Sequence, residues 1–147
     1  MIHWLHQEEG FCEGSFKSSF FRDDENGDEL SICAKSPELS ECAENVVEAF
    51  NALTESDIME ICKGILNWAT ENGVAEEIEL PSSDNALEIL KYCWFTTVYV
   101  NMLRPEDELA YVVEGEGDWG EVIGFAVVNN QVIYVGTDYF DYMKPEA

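Results

Sequence analysis

Between Leu39 and Ala69 the apolar residues recur at steps of three and four, whereas on both sides of that stretch they gather in short β-branched and aromatic runs. A chain patterned this way has helices in its middle and strands towards both ends. The first helical stripe is Leu39, Cys42, Val46, Val47, Phe50 and Leu53, with Ser36 and Pro37 suited to the cap and the first turn. The second is Ile58, Ile61, Cys62, Ile65, Leu66 and Ala69; Thr54 and Asp57 are spaced as a capping box, and Asn72-Gly73 is a stop signal. Helices are therefore predicted over 37–51 and 57–72, joined by a turn short enough to make them packing neighbours. Glu38, Glu41, Glu44, Glu48 and Glu60 fall off the stripes and predict a solvated acidic face, which the basic groove of a partner could also use.

Residues 10–21 (GFCEGSFKSSFF) and 29–36 (ELSICAKS) read as strands on either side of RDDENGD, whose Asn26-Gly27 is a hairpin-turn dipeptide. The acids of that turn do not spell a calcium loop. With Gly27 at the sixth position of an EF-hand, Arg22 and Cys33 would stand where carboxylates are required. After a possible helical turn over 85–90, the stretch 94–103 (WFTTVYVNML) is again extended. ELAYVVE, EVIGFAVV and QVIYVG follow as an antiparallel meander, the last two joined by Asn129-Asn130. The tail TDYFDYMKPEA is expected to fray near its end. Together these runs predict an α+β fold, a mainly antiparallel sheet packed on one face by a two-helix pair, in a single domain spanning 1–147. Strand order is not encoded in any local pattern.

Charge narrows the partners. Asp and Glu number 31 against 7 Lys and Arg, a formal net charge of −24, and such a field repels nucleic acid and anionic membrane surfaces. It attracts cationic proteins, basic peptides and metal cations, or it simply keeps the protein dissolved. With 46% hydrophobic residues the chain has material for a core, so the charge does not mark disorder. Five cysteines, an odd number without a C-x-x-C pair, point to reduced buried thiols rather than a disulfide framework or a thiolate zinc site. MIHWLHQEEG has neither the basic region nor the apolar run of a signal peptide, and no apolar segment reaches about 18 residues. A reducing cytoplasm is the expected compartment.

The stretch VVEGEGDWGEVIGF carries Gly115, Gly117 and Gly120 in the spacing G-x-G-x-x-G of a dinucleotide-binding loop. That loop must open a helix whose amino terminus holds the pyrophosphate. Here another β run follows, and Glu116, Asp118 and Glu121 would crowd carboxylates around a phosphate, so a glycine-bent connection between antiparallel strands is expected instead. The bend gathers Glu114, Glu116, Asp118 and Glu121 around Trp119. Those five are the candidate partner-binding residues, the carboxylates presenting charge to a basic protein or peptide and Trp119 acting as an anchor. The alternative is a divalent-metal-binding module, or a metal-dependent enzyme, using the same carboxylate loop. A pair of these acids doing general acid/base work has no companion nucleophile or histidine. His3 and His6 lack a third metal ligand. No G-x-S-x-G, H-E-x-x-H, P-loop or zinc-deaminase signature occurs, and no cofactor is implied.

The order of a helix pair, then LEILKYCWFTTVYV, then YVVEGEGDWGEVIGFAVVNNQVIYVG resembles the carboxy-terminal part of small acidic bacterial domains of unknown function. Some of these are similar to immunity proteins encoded beside polymorphic toxins. The likeness covers residues 87–136 and rests on Asp118-Trp119-Gly120-Glu121 and Tyr134-Val135-Gly136. Members of such families often carry a histidine before the last glycine of the turn, where Ile123 precedes Gly124 here. The resemblance implies no known activity. It agrees with a non-enzymatic protein that docks a cationic partner, of immunity or inhibitor type.

Overall fold

The computed structural model describes residues 2–18, 27–35, 37–76, 78–100, 109–139 and 141. Seven strands form one sheet in chain order: β1 (His3–Glu8), β2 (Phe11–Lys17), β3 (Glu29–Ala34), β4 (Cys93–Val100), β5 (Ala110–Gly117), β6 (Val122–Val128) and β7 (Gln131–Gly136). Every neighbouring pair is antiparallel except β3 and β4, which run parallel. Parallel neighbours cannot be joined by a tight turn and need a long crossover. The crossover is the helical middle of the chain, α1 (Ser40–Asn51), α2 (Glu55–Glu71) and a 3-10 segment Ser83–Lys91. The α+β class with helices on one sheet face thus holds, and two antiparallel meanders are joined edge to edge through that one parallel contact.

The two helices divide the sheet between them. Phe50 of α1 meets the rings of Phe16 on β2 and Tyr111 on β5 edge-on, with centroids 5.7 and 6.1 Å apart. At the far end α2 packs on β7, where Gly64 lies directly against the Val135 side chain. Between them Ile61, Ile65, Ile32, Phe95, Val98, Ile123 and Phe125 are fully buried. The packing of the two helices against each other that the short turn predicts gives way to packing on the sheet, α1 over β3 and β4 and α2 over β7.

Local signals behave as their chemistry requires. The Asp57 amide donates to Thr54 Oγ1 (3.1 Å) and the Thr54 amide donates to Asp57 Oδ2 (3.0 Å), a complete capping box. Gly73, just past the end of α2, takes φ +78°. Entry to α1 differs from expectation. Pro37–Leu39 form a 3-10 turn, Leu39 occupies the cap without a side-chain bond, and the Ser40 hydroxyl donates to the Pro37 carbonyl at 2.6 Å. Ser36 and the turn RDDEN lie outside the described residues. Strand β1 was not legible, since HWLHQE carries no regular alternation; it pairs on the β2 edge through a bulge between Trp4 and His6, with His3 and His6 both exposed.

Candidate functional site

The three glycines of G-x-G-x-x-G each answer to a neighbour within the β5–β6 hairpin. A side chain at Gly115 would run into the Trp94 carbonyl and Phe95, where a bulge in β4 presses on β5. At Gly117 it would collide with the indole of Trp119, which folds back over that position. Gly120 sits at φ +90°, inside the turn closed by the Gly117 amide on the Glu121 carbonyl (2.9 Å) and the Gly120 amide on the Gly117 carbonyl (3.0 Å). Strand β6 follows immediately, so no helix amino terminus stands behind the glycines.

The hairpin separates the candidate residues. Glu116 lies exposed near the end of β5, Asp118 and Glu121 are exposed in the turn, and the Asp118 amide is tied to the Tyr92 carbonyl at 2.7 Å. Trp119 turns to the helix side, half-buried against Trp68 of α2 with ring centroids 6.0 Å apart. Its indole Nε1 is buried without a hydrogen-bond partner among the described residues. The ring anchors the hairpin to α2 before any partner arrives. Glu114 points the other way, to the sheet face opposite the helices, because strand alternation sends Tyr111 and Val113 to the core and Val112 and Glu114 away from it.

On that face the register lines up Ser15, Ser31, Thr97, Glu114, Gly124 and Gly136 across six strands. The next row is Glu13, Cys33, Tyr99, Val112, Ala126 and Tyr134. Glu114 therefore stands in a row of small residues, which leaves room for two tyrosines to lean over it. Tyr139 donates to Glu114 Oε2 at 2.8 Å and Tyr99 donates to Glu114 Oε1 at 3.3 Å. Tyr139 comes from the tail expected to fray; its ring is buried over Gly124, the position a Cβ would take from it. Burial pushes Tyr99 up to about 12, helped by the nearby Glu114 carboxylate, and pushes Tyr139 up as well, helped by its hydrogen bond to Glu114. Both phenols remain donors.

Cys33 shares this face, and burial, with Glu13 and Glu114, pushes its thiol up to about 11. A thiol held protonated is a poor nucleophile. Tyr139→Phe is expected to lower stability by about 1.5–3 kcal/mol, the range for hydrogen bonds to charged groups, read as a lower urea midpoint; an unchanged midpoint would dismiss the bond. Sequence reading missed Tyr99, Tyr139, Cys33 and Glu13. The shared parity of Glu13 on β2, Cys33 on β3 and Tyr99 on β4 was visible, but strand order was needed to bring them together, and Tyr139 lies beyond β7 in the tail. No three His, Cys, Asp or Glu side chains come together to hold a metal ion among the described residues. Nor, among those residues, is any helix long and apolar enough to cross a membrane.

No match is found among curated proteins or among solved structures. A family model, by contrast, matches residues 2–142, from the residue before β1 to just past the Tyr139 turn. The chain thus belongs to the DUF6985 family, a domain of unknown function.

Proposed function

We propose that this domain is a non-enzymatic protein-binding module of the cytoplasm that docks a cationic protein or peptide, in the manner of an immunity or inhibitor protein. The observation that carries this reading is the display of carboxylates on the helices and the hairpin. Glu41, Glu44 and Glu48 on α1, Glu55, Glu60 and Glu71 on α2, and Glu116, Asp118 and Glu121 on the hairpin are all exposed. The single ion pair among the described residues is Lys91 with Glu88 at 3.6 Å. Exposed carboxylates raise the local concentration of basic partners and speed their encounter. The resemblance of residues 87–136 to immunity-type domains supports the inhibitor form of the reading.

The partner can be sought with tagged protein in lysate of its own organism, washed at moderate salt. For a basic protein retained and purified in this way, the Glu116→Lys, Asp118→Lys, Glu121→Lys triple variant is expected to slow association about tenfold at low salt and to flatten its salt dependence. Stopped-flow or surface-binding kinetics would read both. Identical rates for the two proteins would remove the hairpin from the interface.

A further inference from the structure

On α2, Glu60, Gly64, Asn67 and Glu71 follow one another at steps of four, three and four, so they share one side of the helix. That side faces β7. The approach at Gly64 is close, a Cβ there falling 2.8 Å from the Val135 Cβ. Beside this contact runs a groove of about 450 Å³, walled by Glu60, Asn67, Trp68 and Glu71 on α2 and by Ile133 and Tyr134 on β7. Its middle is apolar, with Trp68 half-buried and Ile133 40% exposed. Its ends are acidic. Glu60 and Glu71 are both exposed and stand about 16 Å apart along the axis at roughly 1.5 Å per residue.

Strand β7 is also the last of the sheet, with no further strand beyond it among the described residues, and QVIYVG has neither charge nor proline to block that edge. A bulge interrupts its ladder with β6, leaving Ile133 without a residue opposite it. A second copy of this chain is a poor occupant, since it would set −24 against −24 and mate two bulged edges. A basic chain is drawn to the two carboxylates, and the groove's volume suits a few side chains rather than a folded lobe.

We propose that the α2–β7 groove receives an extended segment of a basic partner protein, apolar side chains resting on Trp68 and Ile133 and a lysine or arginine reaching each of Glu60 and Glu71. In an extended chain, residues i and i+4 point the same way about 13 Å apart, and long basic side chains span the remainder. The proposal rests on the cationic-partner reading above and places the specific contact away from the β5–β6 carboxylates.

The test is an NMR titration of the full chain with a synthetic peptide bearing lysine at its first and fifth positions and valine, threonine and valine between them. Expected are salt-sensitive shifts at the Trp68 indole N–H and the amides of β7, and binding weakened at least tenfold by the Glu60→Lys, Glu71→Lys double variant. The same peptide with glutamate for lysine should shift nothing. Shifts confined to the hairpin amides would overturn the groove while leaving the cationic-partner reading in place. No shift anywhere at millimolar lysine peptide would overturn both. Equal affinity for the double variant and the parent, or a free protein that sediments as a dimer through β7, would also overturn the groove.

Discussion

Truncating Phe125 to alanine is expected to lower the free energy of unfolding by about 3–5 kcal/mol, a large share of what a domain of this size possesses. Phe125 is fully buried at the centre of β6 and meets Phe95 of β4 edge-on, ring centroids 5.3 Å apart, beneath the helices. The cavity left behind cannot close easily, because Ile61, Ile65 and Ile123 are themselves fully buried in the same core. Val122, three residues earlier on the same strand, is 43% exposed, and Val122→Ala is expected to change stability by no more than about 0.5 kcal/mol. Urea unfolding of both variants measures the contrast. Equal losses would mean that β6 does not present one face to the helices.

Alkali is expected to unfold the protein well before strong base is reached. Burial pushes Cys62 and Cys93 up to about 12 and, with Glu13 and Glu114, pushes Cys33 up to about 11; Tyr99 rises to about 12 by burial and by Glu114. Each of these groups is neutral when protonated, and the folded state holds the proton more tightly than the unfolded chain does. The unfolded chain ionises first, its thiols from about pH 9 and its phenols from about pH 10. Their contribution is therefore fully present below pH 9 and is lost progressively as pH rises towards 11 and 12. Urea midpoints measured from pH 8 to 10.5 should be level at first and then fall. Replacing Cys62 and Cys93 by alanine should make the fall shallower between pH 9 and 10, whatever the variant's starting stability. A midpoint unchanged to pH 10.5 would contradict the burial of these thiols.

How far local pattern reaches can be seen at particular residues. The stripes of α1 and α2, the capping box of Thr54 and Asp57, and the Asn129-Asn130 turn, with φ of 49° and 67°, were all legible, since each depends on residues within one or two turns of chain. The rejection of a nucleotide loop was legible for the same reason: what matters there is whether a helix follows Gly120, and a β run does. The entry to α1 misled because Pro37 is as compatible with a 3-10 turn as with a first helical turn.

The candidate site divides along the same line. That the hairpin displays Glu116, Asp118 and Glu121 follows from glycine and acid composition alone. The fate of Trp119 and Glu114 does not. Trp119 folds inward because Trp68, 51 positions earlier in the chain, offers it a ring to pack on. Glu114 finds Tyr99 because β5 pairs antiparallel with β4, and Tyr139 because the tail returns over Gly124. Hydrophobic period, caps and turn dipeptides are local energies, of which the sequence is a direct record, and from them the α+β class, the helix pair and the antiparallel meander could be derived. Strand order, the row of small residues that makes room for Glu114, and the groove between α2 and β7 depend on which distant surfaces bury one another, a choice settled by the packing of the whole chain.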